Sequence, residues 1–225
     1  IAEAFPQELI AVVNGGGVIS DLFCHLAFDK IIFTGCTTVG KTIMAAAAEN
    51  LVPVILELGG KSPVIVHSSS DMSDVAQRIA MGKLWNSGQT CVAPDYMFLP
   101  KGKTAEFIEQ FETYVFDMYP SILNNPDYTS IVNDKQYNRL QGYLENAKKL
   151  GAKIIEINPQ SEDASLNRKI VPTILTGVTS DMEIMKNEIF GPILPIMEYD
   201  QIDDVLAFIN SRPRPLALYY FDFDQ

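Results

Sequence analysis

Residues 31–42 read IIFTGCTTVGKT and combine the signals of a strand, a tight turn and a helix. The apolar, β-branched run at 31–33 predicts a strand, and the alanine-rich run after Lys41 predicts a helix. Gly35 and Gly40 lie at the turn between the two elements. Because the first N–H groups of a helix have no partner within it, a helix that opens directly after a strand favours a phosphate site at this turn.

The same stretch matches the letter pattern G-x-x-x-x-G-K-[ST] of a P-loop, with Lys41 and Thr42 at its last two positions. A P-loop nucleotide triphosphatase also needs an acidic magnesium ligand at the end of an apolar strand. Asp222 is the one passable candidate in the sequence, and it lies far downstream of the turn. A nucleotide triphosphatase therefore stays open as an alternative function.

Further strands and helices surround the turn. Apolar runs at 9–13 and 53–58 predict strands. Between the first of these and the opening stretch, a glycine turn at 15–17 precedes a predicted helix at 18–28. Strands that alternate with helices at this spacing form right-handed β-α-β units around a parallel sheet. The fold class is therefore α/β, and residues 1–58 resemble part of a Rossmann-like nucleotide-binding sheet.

A second α/β unit is predicted from residue 59 onward. A strand at 64–67 is followed by a helix at 73–88 that has a Ser/Asp start signal. Further helices are predicted at 104–118 and 134–151, and further strands near 152–157, 169–175, 193–199 and 216–221. We therefore expect two domains, one at 1–58 and one at 59–225.

Charge and composition argue against several classes of protein. The net charge of −11 repels phosphate backbones and anionic membranes, and no basic cluster offsets it. No apolar stretch is long enough to cross a bilayer. The three cysteines, Cys24, Cys36 and Cys91, form no CxxC pair, and with two histidines in the chain a structural metal site lacks ligands. We expect a cytoplasmic protein with no nucleic-acid, membrane or metal partner.

Three further motifs change the interpretation of the turn. They are LELGGKSP at 56–63, NSGQTCVAPDY at 86–96 and NEIFGP at 187–192. Together with FTGCTTVGK at 33–41 they resemble, in order and spacing, the signature segments of the NAD(P)-dependent aldehyde dehydrogenase superfamily. The resemblance runs over essentially the whole chain. It is greatest for the branch that acts on fatty and aromatic aldehydes, which includes coniferyl aldehyde dehydrogenases.

The resemblance implies a nucleophile and a base. Cys91 would attack the aldehyde carbonyl to give a thiohemiacetal, which loses hydride to the nicotinamide cofactor and becomes a thioester. Glu57 would activate the water that hydrolyses this thioester. By residue type alone, a lone cysteine is more often an inert buried side chain and a strand-end glutamate a solvated carboxylate, so both roles depend on the motifs.

The resemblance also implies a set of cofactor contacts. Glu188 would bond the hydroxyls of the nicotinamide ribose, and Phe190 would pack near the nicotinamide ring. The remaining implied contacts are Gly35, Cys36, Gly40 and Leu58. Cys36 stands where most relatives have serine or another small polar residue, so its side chain is a weaker hydrogen-bond partner for phosphate. The turn at 31–42 is then a site for the pyrophosphate of NAD or NADP, and Lys41 is an ordinary solvated residue.

Several signature segments of the superfamily have no counterpart in this sequence. They include an asparagine of the oxyanion hole, a lysine that binds the adenine ribose, and a C-terminal oligomerisation strand. We therefore expect an internal piece of a longer homo-oligomeric enzyme, with part of the cofactor domain at 1–58 and a truncated catalytic domain at 59–225. The piece alone is expected to be inactive or nearly so, which leaves a non-catalytic nucleotide-binding fragment as a second alternative. The sequence does not select between NAD and NADP or among aldehydes.

Overall fold

A computed structural model gives the fold of residue 1, residues 3–163 and residues 167–223. The chain divides into two compact units, Ile1–Leu58 and Gly59–Gln225. Each unit combines helices with a sheet in which parallel pairing dominates. The α/β fold class is therefore confirmed.

The first unit contains the strand, turn and helix that the opening stretch predicts. Its elements are α1 at Gly17–Cys24, β1 at Ile31–Gly35, α2 at Thr37–Ala48 and β2 at Val54–Leu58. β1 and β2 pair in parallel, which places Gly35 opposite Leu58. The buried residues of α2 are Gly40, Ile43, Ala46 and Ala47. Because most of them are small and share one face of the helix, α2 packs closely against the two strands.

The strand predicted at 9–13 is wrong. Residues 10–13 have no regular structure, Leu9 lies in a turn, and the apolar side chains of this run are exposed. A strand needs a neighbour to pair its backbone groups. Within the described part of this unit the sheet consists of β1 and β2 alone, so the run has no partner.

The second unit is a six-stranded sheet with helices on both faces. Its strands are β3 at Pro63–Val66, β4 at Tyr96–Pro100, β5 at Lys153–Glu156, β6 at Thr173–Thr176, β7 at Ile193–Tyr199 and β8 at Tyr219–Phe221. Its helices are α3 at Met72–Leu84, α4 at Thr104–Met118, α5 at Asp134–Lys149, α6 at Glu183–Lys186 and α7 at Ile202–Asn210. The strand order is β5-β6-β7-β4-β3-β8, with β5 antiparallel to β6 and every other pair parallel.

Successive residues of the central strands enter two different hydrophobic cores. Val64 and Val66 of β3 lie in one core together with residues of α3 and α4. Ile65, between them, lies in the other core with residues of α5, α6 and α7. A strand alternates its side chains between the two faces of a sheet. The continuous burial of β3 therefore means that both faces are covered, as is typical of parallel sheets.

Two predicted helices end earlier than expected. The helix predicted at 73–88 ends at Leu84 and is followed by a 3₁₀ turn at Trp85–Gly88. Asn86 and Ser87 in this turn have left-handed backbone angles, with φ of 51° and 53°, which interrupt an α-helix. In the first unit, α1 likewise ends before residue 28, and it buries no side chain that would stabilise further turns.

The sequence patterns do not identify β4 or α7. The run that forms β4 is five residues long, which is too short to separate a strand from a loop by periodicity. α7 has Asp203 and Asp204 in its first turn, where acidic residues favour a helix start. With nine residues, however, it offers little more than two turns of apolar spacing.

None of the helices in the described ranges has the length and apolar character that a bilayer crossing requires. Those ranges also hold no group of three or more His, Cys, Asp or Glu side chains placed to bind a metal ion. Cys24, Cys36 and Cys91 are all free thiols.

Phe111 of α4 allows a test of the core that α4 shares with β3. Its ring is 1% exposed and lies 5.5 Å from the ring of Phe107, centroid to centroid. Phe111→Ala is expected to lower the free energy of unfolding by about 3–5 kcal/mol, because it leaves a cavity in the core. Urea unfolding followed by circular dichroism measures this change.

Phe116→Ala on the same helix is the matched control. Phe116 is 39% exposed, so its truncation is expected to cost about 1 kcal/mol or less. Equal losses for the two variants would show that the buried face of α4 is assigned wrongly.

Candidate active site

The turn between β1 and α2 exposes the N-terminus of a helix. Cys36 is the N-cap residue of α2, and its side chain makes no hydrogen bond to the first turn. Gly40 is buried, and a Cβ at this position would lie 2.9 Å from Leu58 Cδ2. The first turn of α2 therefore has N–H groups without a side-chain cap, an arrangement that suits an anion.

The predicted site residues of the first unit lie at one end of its sheet. Gly35 and Leu58 are the last residues of β1 and β2 and face each other across the pair. Cys36 follows as the N-cap of α2 and Gly40 lies within that helix, and Glu57 is exposed one residue before the end of β2. Open α/β sheets bind ligands at the carboxyl ends of their strands. These residues therefore occupy the end of the sheet where a ligand is expected.

The structure gives Lys41 and Thr42 the environment of ordinary helix residues. Lys41 is exposed on α2, and the hydroxyl of Thr42 donates to the carbonyl of Thr38 at 3.4 Å. Asp222, the candidate magnesium ligand, follows β8 in the six-stranded sheet of the second unit. The structure thus places the two parts of the P-loop signature in different units of the chain.

Three sequence segments meet at the amino ends of neighbouring strands in the second unit. We call them the GGK loop (59–61), the thiol turn (86–95, with Cys91) and the NEIFGP segment (187–192). They directly precede β3, β4 and β7, respectively. β3 and β7 both pair in parallel with β4, so the amino ends of the three strands lie side by side. The strand order therefore brings together segments that are far apart in the sequence.

Cys91 lies at an exposed position of a well-anchored turn. Asn86 and Gln89 exchange hydrogen bonds, since the side-chain amide of each donates to the backbone carbonyl of the other at 3.1 Å. Gln89 also donates to the carbonyl of Ser130 at 3.1 Å and accepts from the N–H of Val132 at 2.9 Å. The thiol is therefore accessible while the backbone that carries it is fixed by side-chain contacts.

The NEIFGP segment is held in place by α5. Arg139 of this helix donates to the carbonyl of Glu188 at 3.0 Å and to the carbonyl of Ile189 at 2.7 Å. Phe190, the next residue, has a φ of 51°, which is strained for an aromatic residue. Its ring is partly exposed. The bonds from Arg139 stabilise the backbone conformation that presents this ring.

The carboxylate of Glu188 lies against the GGK loop. A Cβ at Gly59 would overlap Oε1 of Glu188, so the absence of a side chain at Gly59 permits this close approach. Partial burial raises the pKa of the Glu188 carboxyl, and a hydrogen bond from the backbone of Gly60 partly opposes this rise. The Glu188 side chain therefore links the NEIFGP segment to the GGK loop.

The thiol turn and the NEIFGP segment are in direct backbone contact. Gly88 has a φ of 71°, and a Cβ at this position would overlap the carbonyl of Gly191. Gly191 in turn packs against the side chain of Leu140 on α5. Two glycines thus let the backbones of the two segments approach each other closely.

A buried ion pair joins all three segments. The ammonium of Lys61 in the GGK loop contacts the carboxylate of Asp95 in the thiol turn, and the two side chains are 12% and 3% exposed. Lys61 also donates to the carbonyls of Ile184 at 2.7 Å and Asn187 at 3.0 Å. The second carboxylate oxygen of Asp95 accepts from the N–H of Ile189 at 2.8 Å. Both charges are therefore paired and hydrogen-bonded, as buried charges require.

A second buried lysine contacts the thiol turn. The ammonium of Lys83 on α3 donates to the carbonyl of Pro94 at 2.8 Å. Burial lowers the pKa of Lys83 to about 8, although Asp95 acts in the opposite direction. Burial also lowers the pKa of Lys61, and its bond to Asp95 partly offsets that change. Two ammonium groups therefore hold the buried side of the thiol turn.

The sequence patterns do not assign Lys61, Asp95 or Arg139 to the site. Lys61 and Asp95 lie inside the motifs, and this position is the one signal in the sequence that could have assigned them to the site. Their pairing joins residues 34 positions apart, which no local pattern predicts. Arg139 lies on a helix rich in polar residues, where a solvated charge is the ordinary expectation. Its bonds to two carbonyls depend on the packing of that helix against the NEIFGP segment.

Similarity to known proteins extends over the whole chain. The sequence pattern of the aldehyde dehydrogenase family matches residues 1–221, and the chain belongs to that family. It is 48% identical over 225 residues to a Pseudomonas aeruginosa protein named probable coniferyl aldehyde dehydrogenase. The match covers 100% of this chain and 46% of that relative. The resemblance that the four motifs indicate is therefore confirmed.

Solved structures agree with this family membership. Substrate-bound AldH of Staphylococcus aureus superposes with a TM-score of 0.92 at 43% identity, covering 100% of this chain and 48% of that one. NADP-dependent glyceraldehyde-3-phosphate dehydrogenase from Bacillus halodurans, complexed with NADP, superposes with a TM-score of 0.83 at 29% identity. That match covers 95% of this chain and 44% of the other. The chain spans about half the length of the curated relatives it matches.

Gly88 allows a test of the contact between the thiol turn and the NEIFGP segment. Gly88→Ala is expected to lower the free energy of unfolding by at least about 2 kcal/mol, because alanine is strained at positive φ and its Cβ meets backbone. Gly142→Ala on α5 is the control, since a Cβ at that position meets nothing within 4 Å. The control is expected to raise stability by about 0.5–1 kcal/mol. Thermal unfolding of both variants measures the difference, and a stable Gly88→Ala protein would contradict the contact.

Proposed function

We propose that the chain carries the thiol site and part of the cofactor site of an NAD(P)-dependent aldehyde dehydrogenase, which oxidises an aldehyde to a carboxylic acid. The observation that carries the proposal is the accessible Cys91 on a turn joined to the NEIFGP segment by backbone contact and by the Lys61–Asp95 pair. A nucleophile and a segment suited to a hydride acceptor are thereby held together. The names of the relatives favour coniferyl aldehyde, an aromatic aldehyde, as a first substrate to assay.

Cys91 is the proposed nucleophile. Its thiolate attacks the carbonyl carbon of the aldehyde, and the carbonyl oxygen becomes the oxyanion of a thiohemiacetal. The exposed position of Cys91 supports this role, because an aldehyde can reach the sulfur. The anchored thiol turn keeps the sulfur in a defined position for attack. The oxyanion needs hydrogen-bond donors, one of which the family resemblance assigns to an asparagine with no counterpart in this sequence.

Glu188 and Phe190 are proposed to hold the nicotinamide end of NAD or NADP. When bound, this cofactor accepts the hydride that leaves the thiohemiacetal carbon. The residues fit such a group, since the partly buried carboxylate of Glu188 can accept bonds from ribose hydroxyls. The exposed ring of Phe190 offers a surface for a flat ring system. The Bacillus halodurans relative, which is complexed with NADP, supports this class of cofactor.

The turn between β1 and α2 is proposed to bind the pyrophosphate of the cofactor. The uncapped N–H groups at the start of α2 are the donors. Gly35, the last residue of β1, lies directly before this helix start. Gly40 and Leu58 pack against each other and set the distance between the helix and the strand. The thiol of Cys36 is a weaker donor than a serine hydroxyl, so the backbone supplies most of the binding energy.

Glu57 is the proposed general base for the second half of the reaction. A water loses its proton to the Glu57 carboxylate and adds to the thioester carbon, after which the carbon–sulfur bond breaks and the acid leaves. The exposed position of Glu57 at a strand end supports this role. Gly60, with a φ of 135°, lies in the glycine pair that follows, and glycines allow the backbone near the carboxylate to bend.

We further propose that the complete enzyme is a cytoplasmic homo-oligomer. Many large apolar side chains of the first unit are exposed, among them Leu9, Val18, Ile32 and Met44. Exposed apolar surface of this kind favours burial against further protein. Three free thiols and no disulfide among the described residues fit a reducing compartment.

A hybrid enzyme tests the catalytic roles. In it, residues 1–225 replace the matching segment of the Pseudomonas aeruginosa relative, and turnover of coniferyl aldehyde is followed by the absorbance of the reduced cofactor. Cys91→Ser is expected to lower kcat by at least about 10³-fold, because a serine hydroxyl is not ionised at neutral pH. Cys24→Ser is the control and is expected to keep the full turnover. A Cys91→Ser hybrid that retains its kcat would remove the basis of the proposal.

The 225-residue chain by itself is expected to show little or no turnover. Loss of one oxyanion-hole donor costs about 10²- to 10³-fold in rate, and the chain spans about half of its relatives. The assay mixes the chain with NAD, NADP and an aromatic aldehyde, with the hybrid as the positive control. Turnover close to that of the hybrid would show that the chain is a complete catalytic unit, and this prediction would then be wrong.

Iodoacetamide labelling of the same chain separates an inactive site from a damaged one. Cys91 is expected to react faster than Cys24, because burial raises the pKa of the Cys24 thiol. Equal rates at both cysteines would indicate that the chain is unfolded or that Cys91 is not activated.

A further inference from the structure

We propose that Tyr219 is a positioning residue for the Cys91 thiol, a role that rests on the proposed function of Cys91. The hydroxyl of Tyr219 donates a hydrogen bond to the carbonyl of Val92, the residue that directly follows Cys91. Tyr219 lies on β8, far from the thiol turn in the sequence and outside the four motifs.

The strand that carries Tyr219 is itself fixed against the site. β8 pairs in parallel with β3, and Tyr219 lies opposite Val64 in the register. Just before the strand, the N–H of Ala217 donates to the hydroxyl of Ser62 at 3.4 Å. The ring of Tyr219 also packs against the core that contains Val64. The phenol hydroxyl therefore reaches the thiol turn from a rigid position.

Separate donors hold the carbonyls of alternate residues in the thiol turn. The carbonyl of Thr90 accepts from the N–H of Ala93 at 3.1 Å, and the carbonyl of Pro94 accepts from Lys83. Tyr219 supplies the donor for the carbonyl of Val92 between them. Removing this hydroxyl leaves the peptide group nearest to the sulfur on its C-terminal side without that restraint.

The Tyr219 phenol also remains a hydrogen-bond donor beside the thiol. Burial raises the pKa of the Tyr219 phenol, and the negative charge of Cys91 raises it further. The phenol therefore stays protonated, and stays a donor, when the thiol ionises. Tyr219 thus holds the exposed sulfur of Cys91 in one orientation without touching the substrate.

Tyr219→Phe tests the role, and Tyr220→Phe is the matched control. Both changes remove one phenol hydroxyl from the same strand and keep the ring, but the hydroxyl of Tyr220 donates to Asp222. The measured quantity is the rate of iodoacetamide labelling at Cys91 divided by the rate at Cys36, determined by mass spectrometry over a pH series. Cys36 is an exposed thiol in the other unit of the chain and serves as the internal reference.

The expected result is a labelling ratio that falls about three- to tenfold in Tyr219→Phe, which corresponds to one lost hydrogen bond. The fall should appear at every pH of the series, because the Tyr219 phenol stays protonated when the thiol ionises. Tyr220→Phe should match the unsubstituted protein throughout. An unchanged ratio in Tyr219→Phe, or an equal fall in both variants, would overturn the proposal.

Other charged groups near the turn cannot produce this difference. Lys83 on α3, Asp95 in the turn, Lys61 in the GGK loop and Glu188 in the NEIFGP segment are the same in all three proteins. The labelling rate at Cys24 monitors the integrity of the fold in each variant. In the hybrid enzyme, Tyr219→Phe should lower kcat three- to tenfold and leave the KM for the cofactor unchanged, whereas general damage to the site would change both.

The two proposals can fail separately. If the Cys91→Ser hybrid keeps its turnover, the proposed function falls, while the labelling ratio still decides whether Tyr219 acts on the Cys91 thiol. If the Cys91→Ser hybrid is inactive and the ratio does not change in Tyr219→Phe, the proposed function stands and the role of Tyr219 is rejected.

Discussion

The site in the second unit depends on one buried ion pair, between Lys61 and Asp95. The GGK loop and the thiol turn each supply one charge of the pair, and the NEIFGP segment supplies backbone groups that bond to both charges. The three segments come from different parts of the chain. Removal of one partner from a buried pair typically costs about 3–5 kcal/mol, because the other charge is left uncompensated. The pair therefore fixes the relative positions of the thiol turn and the NEIFGP segment. Tyr219 and Lys83 then adjust the thiol turn within this arrangement.

Unusual backbone conformations concentrate in the same region. Asn86, Ser87, Gly88 and Phe190 all have positive φ, and residues in such conformations persist when their surroundings hold them there. Arg139, Gln89 and the contact between Gly88 and Gly191 provide that support. Backbone strain is thus located in the two segments that carry the proposed nucleophile Cys91 and the proposed nicotinamide contact Phe190. This pattern is typical of sites that are organised before the ligand binds.

Local patterns predicted elements well where the residues supply the whole signal. The strand, turn and helix at 31–42 and the helices α4 and α5 follow from periodicity and terminal residues. The run at 9–13 has the composition of a strand but no neighbour to pair with, so the strand predicted from its composition does not form. The helix predicted at 73–88 ends early because the thiol turn imposes left-handed angles on Asn86 and Ser87. Errors therefore arose where tertiary contacts override local preference.

The sequence by itself determined the family, the α/β class and the candidates Cys91, Glu57 and Glu188, because four motifs in the right order are specific even when each alone is weak. The tertiary structure alone decided how the thiol is held. The order of β7, β4 and β3 brings the three segments together at the amino ends of these strands. The pairing of β8 with β3 brings Tyr219 to Val92. These contacts join residues that are far apart in the chain, and their partners are set by strand order and register. No local pattern of residues encodes those two properties.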